Sequence, residues 1–249
     1  MTKTALITGA SSGIGYQTAK VLAEKGFQLI ICGRRKERLD DLQAALKSTT
    51  VHVLVFDVRS KQAVDEAISS LPEDFKQIDL LVNNAGNAHG LSTIQDGDTD
   101  DWDNMIDLNV KGLLYLTRAI TPQMVARKSG QIINVGSIAG KEVYANGNVY
   151  CATKHAVDAL TRAMLIDLNP HGIKVGSINP GMVETEFSVV RFKGDEERAK
   201  KVYEGLQPLT PLDVANAIGY MATLPPHVNI SDLTILPTAQ AAATVVKRG

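Results

Sequence analysis

Cysteine is scarce in this chain. Cys32 and Cys151 are the only two, and neither belongs to a Cys-x-x-Cys pair, which excludes a disulfide framework. No apolar run approaches the roughly 20 residues that a membrane-spanning helix needs. Neither sign of charge prevails: 26 Lys and Arg stand against 27 Asp and Glu, a formal net charge of −1. That balance gives no case for nucleic acid or an anionic membrane as a partner. His52, His89, His155, His171 and His227 show no ligand spacing, so no catalytic metal is expected. Internal repeats, low-complexity tracts and linkers are also missing. The chain enters its first strand candidate at Thr4, leaving no room for a signal peptide, and a cytoplasmic setting is expected.

What is present is a regular alternation. With 44% hydrophobic and 21% charged residues, the 249-residue chain has the make-up of a globular protein that buries a sizeable core. Strands are expected at residues 4–8, 28–32, 51–56, 78–83, 130–136, 172–178 and 233–236. Most are apolar throughout rather than alternating, as parallel strands covered on both faces should be. Helix-period segments lie at 14–25, 36–47, 61–71, 102–127, 148–168 and 211–223. This order argues for an α/β fold of the doubly wound type, with residues 1–249 as one domain. Residues 183–208 break the rhythm with a charged stretch, and fit either a lid over a sheet-edge cleft or a solvated excursion.

The turn after the first strand reads Thr8-Gly9-Ala10-Ser11-Ser12-Gly13-Ile14-Gly15 and runs into a helix. Glycines there let backbone N–H groups approach a pyrophosphate at the helix's positive end. The spacing is Gly-x-x-x-Gly-x-Gly rather than the Gly-x-Gly-x-x-Gly of the standard fingerprint. At the end of the second strand an NAD site would place a carboxylate for the ribose 2′-OH. Here stand Arg34, Arg35 and Lys36, with no acid before Glu37. Planar guanidinium donors match a phosphate, so the expected cofactor is NADP. Asp57, Val58, Asn84 and Gly86 fall at further strand ends, where Asp and Asn also serve ordinary turns. Asn109, followed by Gly112 inside a long helical pattern, predicts a local kink with a polar purpose or one kept for packing.

The residues with chemistry to offer are Ser137, Tyr150 and Lys154. Tyr150 and Lys154 fall one helical turn apart on one face. A phenol with a reference pKa of about 10 carries protons poorly at neutral pH unless a nearby ammonium favours its anion. Ser137 can hold a substrate oxygen beside it. Tyr144 is a rival phenol but lacks a lysine at i+4, and Cys151 has no nearby histidine to activate it.

Taken in order, Thr8–Gly15, Asn83-Asn84-Ala85-Gly86, Asn109, Ser137, Tyr150-x-x-x-Lys154 and Pro180-Gly181 resemble the short-chain dehydrogenase/reductase family. The resemblance covers essentially the entire chain. It implies an NAD(P)-dependent oxidoreductase acting on CH–OH groups, with a seven-stranded parallel sheet of order 3-2-1-4-5-6-7, usually assembled as a homotetramer. It also implies roles. Tyr150 is the acid/base, Lys154 tunes it and binds the nicotinamide ribose, Ser137 orients the substrate oxygen, and Asn109 holds a water that links Lys154 to solvent. Gly9, Ser11, Ser12, Gly13, Ile14 and Gly15 cradle the cofactor together with Arg34, Arg35, Asp57, Val58, Asn84 and Gly86. Pro180, Gly181, Val183 and Thr185 complete its site at the nicotinamide end.

Segments toward the C-terminus, among them residues 190–195 and 224–230, are similar to the NADP-dependent 3-hydroxy acid dehydrogenases, a group also described as serine or L-allo-threonine dehydrogenases. A 3-hydroxy acid such as serine or 3-hydroxypropionate needs a cation for its carboxylate. Arg191 is the first candidate and Lys193 the second. Reduction of another small carbonyl, such as sulfoacetaldehyde, or a non-catalytic NADP sensor would use the same fold.

Overall fold

Strands β1 (Thr4–Thr8), β2 (Gln28–Gly33), β3 (Val51–Val55), β4 (Leu80–Asn83), β5 (Gly130–Val135), β6 (Ile173–Pro180) and β7 (Asp232–Ile235) pair in parallel throughout, in the order 3-2-1-4-5-6-7. The structure is a computed structural model and describes residues 2–249. The fold is a Rossmann-like α/β domain, as the alternation predicts. All five residues of β1 are buried, and so are Leu29 through Cys32 of β2. Apolar side chains therefore serve both faces of the sheet. Ala5, Ile7, Leu29 and Ile31 point to one core, and Leu6, Ile30 and Cys32 to the other. Each fully buried Ile or Leu contributes about 1.5–3 kcal/mol, which makes the central strands the rigid part of the molecule.

The helices that cover the two faces differ in origin. On one side, α1 (Gly13–Glu24), α2 (Lys36–Ala45) and α9 (Pro211–Ala222) supply Leu22, Leu39, Leu42, Val214 and Ile218. On the other, α3 (Lys61–Ser69), α5 (Leu113–Arg127) and α6 (Asn148–Leu168) supply Val64, Leu116, Ile120, Val157 and Met164. Pro211 stands at the first position of α9, and Thr210 with Asp213 forms a reciprocal capping box there.

The helix expected over 102–127 is two helices. α4 (Thr99–Ile106) and α5 are joined by a π-helical turn over Asp107–Gly112, which contains Asn109. A π turn inserts a residue into the helix and commonly marks a functional position. The kink expected from two poor helix formers is thus present, with an identifiable geometry. Residues 183–208 form two short helices, α7 (Phe187–Arg191) and α8 (Glu196–Lys201). No described helix is long and apolar enough to cross a membrane.

Strand order reverses between β1 and β4, since the chain crosses from β1 outward to β3 and returns to β4. In open parallel sheets a crevice forms at the carboxyl edge beside such a reversal. Here that crevice is a cleft of about 510 Å³, lined from the glycine turn to Tyr150.

Candidate functional site

The glycine turn follows from close backbone approach. Gly9 and Gly13 take φ of +65° and +55°, which disfavour any side chain. A β-carbon on Gly15 would come within 2.5 Å of both the Gly9 carbonyl oxygen and the Asn84 amide nitrogen. Asn84 is the brace: its Nδ2 donates to the Thr8 carbonyl at 2.8 Å, and its backbone N–H to the Thr8 hydroxyl at 2.9 Å. The turn is thereby clamped to the end of β4. Gly15 does not line the cleft, and its part is to let α1 start against the turn.

At the far end of the cleft the basic residues converge. Arg35 donates to the Ser12 hydroxyl at 2.6 Å and to the Ser11 hydroxyl at 3.1 Å. It also pairs with Glu186 at 2.9 Å, and Arg38 pairs with the other oxygen of the same carboxylate. Arg34 is exposed and lies 3.8 Å from Asp57, which is held more tightly by Arg59 at 2.7 Å. Burial pushes the Asp57 carboxyl up, but the hydrogen bonds and charge of Arg59 outweigh it and hold the carboxyl below its usual range.

At the near end, Tyr150 and Lys154 occupy neighbouring turns of α6 and are both buried. Ser137 lies two residues beyond β5 and caps the short turn that follows, accepting from the Ala139 N–H at 3.1 Å. Lys154 Nζ donates to the Val135 carbonyl at 3.0 Å and lies 6.0 Å from the centre of the Tyr150 ring. Burial lowers the Lys154 amine from its ordinary value to about 8. Burial also pushes the Tyr150 phenol well above its usual range, and the nearby Tyr144 adds to this. The Ser137 hydroxyl and the charge of Arg191 pull the other way. Lys154 donates to a backbone carbonyl, and desolvation is the largest influence on the Tyr150 phenol.

Asn109 stands behind Lys154 rather than on the cleft wall. Its Oδ1 accepts from the Asn87 N–H at 2.9 Å, while its Nδ2 donates to the Asn87 carbonyl at 2.8 Å and to Thr153 Oγ1 at 3.0 Å. Gly86 separates it from Lys154: a β-carbon there would sit 3.2 Å from Asn109 Oδ1 and 3.5 Å from Lys154 Nζ. The π turn aims Asn109 at this small space.

Residues 183–208 lie against the cleft. Val183, Thr185, Phe187, Val190 and Tyr203 contribute to its wall. Phe187 meets the Tyr150 ring edge-on at 5.6 Å. Arg191 Nη2 donates to the Tyr144 hydroxyl at 2.6 Å, and its guanidinium carbon lies 5.3 Å from the Tyr150 ring centre. Arg191 also lines a smaller hollow beside Tyr150, shared with His89, Trp102, Met105 and Asn148.

Of the residues singled out in the sequence, Gly9, Ser11, Ser12, Gly13, Ile14, Arg34, Arg35, Asp57, Val58, Asn84, Gly86, Ser137, Tyr150, Lys154, Pro180, Gly181, Val183, Thr185 and Arg191 meet in this one cleft, while Gly15 and Asn109 support it from behind. The sequence gives no pointer to Arg38's partner, Asn87 or Glu186, and Tyr144, weighed there only as a rival phenol, lies on the cleft wall beside Arg191. Arg38, one turn after Arg35, carried a signal in its spacing, whereas Glu186, far away in sequence, carried none.

The cleft fits an NADP cofactor. Its turn leaves no room for β-carbons, a 12-residue helix starts at Gly13, and two arginines reach the end of β2. Asn87, on the cleft wall, keeps its buried Oδ1 without a partner. Cys32 and Cys151 are buried and free. Among the described residues no group of three or more His, Cys, Asp or Glu could hold a metal ion.

Comparison with known proteins agrees with this geometry. A family model described as short chain dehydrogenase matches residues 3–196. The NADP-dependent 3-hydroxy acid dehydrogenase YdfG of Salmonella typhi is 46% identical over 239 residues, 96% of each chain. Sulfoacetaldehyde reductase 2 of Chromohalobacter salexigens is 44% identical over 243 residues, 97% of this chain and 96% of its own. The closed form of serine dehydrogenase complexed with NADP+ superposes with a TM-score of 0.93 at 44% identity, covering 99% of this chain and 100% of the other.

Proposed function

The chain belongs to the short-chain dehydrogenase family and is an NADP-dependent oxidoreductase, and from that premise we propose that its substrate is a short 3-hydroxy acid, such as serine, L-allo-threonine or 3-hydroxypropionate, or the matching carbonyl. One observation carries this reading. Arg191 is a cation in the cleft beside Tyr150, and no carboxylate pairs with it among the described residues; its contacts are the Tyr144 hydroxyl and the Gly90 carbonyl. Lys193, the second candidate for the substrate's acid group, is already paired with Asp98 at 3.2 Å and Asp101 at 3.0 Å. An unpaired guanidinium next to the acid/base is where a short substrate's carboxylate would be held.

In this reading Ser137 holds the reacting oxygen and Tyr150 Oη exchanges its proton. The bound NADP supplies the hydride acceptor or donor. A phenol kept protonated by burial is ready to give a proton to a carbonyl oxygen. In the alcohol-oxidising direction, the Ser137 hydroxyl and the Arg191 charge favour the phenolate that must accept one. Lys154, buried on the same helix face, binds the nicotinamide ribose and passes protons on. Asn109 holds open the path behind Gly86, through which a water would connect Lys154 to solvent.

A second reading rests on the same cation. Arg191 would hold a sulfonate as well as a carboxylate, so reduction of sulfoacetaldehyde uses the same site. A panel of L-serine, L-allo-threonine and 3-hydroxypropionate with NADP+, and of sulfoacetaldehyde with NADPH, followed by the near-UV absorbance of the reduced cofactor, separates the two. Absence of turnover on every hydroxy acid would reject the first reading. In the assembly we expect a homotetramer: Ile106, Leu114 and Ile166 lie exposed on α4, α5 and α6, apolar positions that a partner subunit would cover. A cytoplasmic setting agrees with two free, buried thiols.

A further inference from the structure

Glu186 belongs to the segment that carries Arg191, yet its carboxylate sits at the opposite end of the cleft. One oxygen takes Arg35 at 2.9 Å and the other takes Arg38. The Arg35 guanidinium is thus held on one side by the glycine-turn hydroxyls of Ser11 and Ser12 and on the other by a carboxylate from a segment some 150 residues away. The other cations near this end do not share Glu186. Lys36 pairs with Asp40 at 2.5 Å, and Arg34 lies near Asp57. Arg35, one of the two arginines that line the cleft at the end of β2, and Arg38, one turn further along α2, are therefore both engaged by one anion of the chain itself.

We infer that Glu186 is an internal competitor for the cofactor's 2′-phosphate: its carboxylate occupies Arg35, which the phosphate needs, with Arg38 bound to its other oxygen, and so tempers the affinity for phosphorylated adenosine ribose. The inference rests on the reading that arginines at the end of β2 receive the 2′-phosphate. A carboxylate carries one charge and two acceptor oxygens, whereas a phosphate monoester carries nearly two charges and three. The phosphate can displace the carboxylate, but each binding event must break the Glu186 pairs, and each release re-forms them. An unphosphorylated ribose presents no competing charge and leaves the pairs intact. Glu186 thus acts selectively on NADP and favours its departure after turnover. Because Phe187 follows directly and packs on Tyr150, the exchange also links arrival of the 2′-phosphate to the segment that covers the substrate end.

The test uses the full chain and two probes, adenosine 2′,5′-bisphosphate and adenosine 5′-diphosphate, titrated calorimetrically at fixed ionic strength. Glu186→Gln and Glu186→Ala should each bind the 2′,5′-bisphosphate roughly three- to tenfold more tightly than the parent, the scale of two half-exposed ion pairs. Binding of the 5′-diphosphate should be unchanged. Arg35→Ala and Arg38→Ala provide the reference. If they weaken the bisphosphate while the Glu186 variants leave it unchanged or weaken it too, the competitor role is overturned and the phosphate site stands. If neither arginine variant discriminates between the probes, the phosphate site itself is misplaced and the inference falls with it.

Discussion

The guanidinium of Arg191 lies 5.3 Å from the ring centre of Tyr150. A residue of the cleft-covering segment thereby influences the protonation of a residue on the scaffold. The same charge that would bind a substrate acid also favours the phenolate. On the proposed reading, binding and proton transfer are coupled through one side chain.

Arg191→Ala should therefore raise KM for a hydroxy acid by about 10- to 100-fold, the worth of a charge-assisted hydrogen bond of about 1.5–3 kcal/mol. Arg191→Lys should recover only part of the loss, because an ammonium cannot hold Tyr144 and a carboxylate in one planar fork. Steady-state kinetics on 3-hydroxypropionate would settle it; a KM equal to that of the parent would remove Arg191 from the substrate site.

Tyr150→Phe should lower kcat by about 10²- to 10⁴-fold, the usual contribution of a positioned acid/base. Affinity for NADPH, measured by fluorescence titration, should change little, since the ring and its packing on Phe187 persist. Retention of kcat within tenfold would point to another proton carrier, with Tyr144 next in line.

Lys154 makes a prediction about stability. Its amine falls to about 8 in the folded chain, below the ordinary lysine value of 10.5. Below pH 8 both folded and unfolded chains hold the proton, and the folded state bears the full cost of a buried charge, on the order of 3 kcal/mol. Between pH 8 and 10.5 the unfolded chain binds more protons, so this cost fades and stability rises with pH. Lys154→Met should thus abolish activity yet stabilise the chain at pH 7 by about 1–2 kcal/mol, after loss of the bond to Val135. Thermal unfolding should show a gain of roughly 2–8 °C that disappears near pH 10.

Asn109→Ala removes three hydrogen bonds from a residue that is 2% exposed. It leaves the Asn87 N–H and carbonyl without their partner, a loss of about 2–4 kcal/mol that urea unfolding would register. A double-mutant cycle with Thr153→Val should give a coupling of about 0.5–2 kcal/mol. Additive effects would show that the π turn, rather than its side chain, organises this corner.

Much of this was legible in the sequence because the informative residues are local. The strands announce themselves by uninterrupted apolar runs, and the glycine turn by its position between β1 and α1. Tyr150 and Lys154 are found by a spacing of four. Asn109 and Gly112 announced a kink, though a π turn cannot be told from other bends by propensity. What could not be read depends on contacts between distant segments. Nothing around Glu186 says that it will meet Arg35, and nothing around Tyr144 says that Arg191 will cap it. The protonation states were the least legible. Spacing shows that a lysine is near a tyrosine, but only burial and the direction of Lys154 toward Val135 reveal that desolvation outweighs their mutual effect.

The clamp between Asn84 and the glycine turn has an evolutionary corollary. The half of the cleft that receives the coenzyme is locked to the sheet by bonds to Thr8 and by backbone contact too tight for any added carbon. The opposite half is carried by the excursion between β6 and α9, whose Phe187, Val190 and Arg191 line the end beside Tyr150, so a new substrate can be tried by rewriting that part of the segment while the glycine turn stays intact. That relatives named for hydroxy acids and for sulfoacetaldehyde are about equally similar to this chain is what such modularity would leave behind.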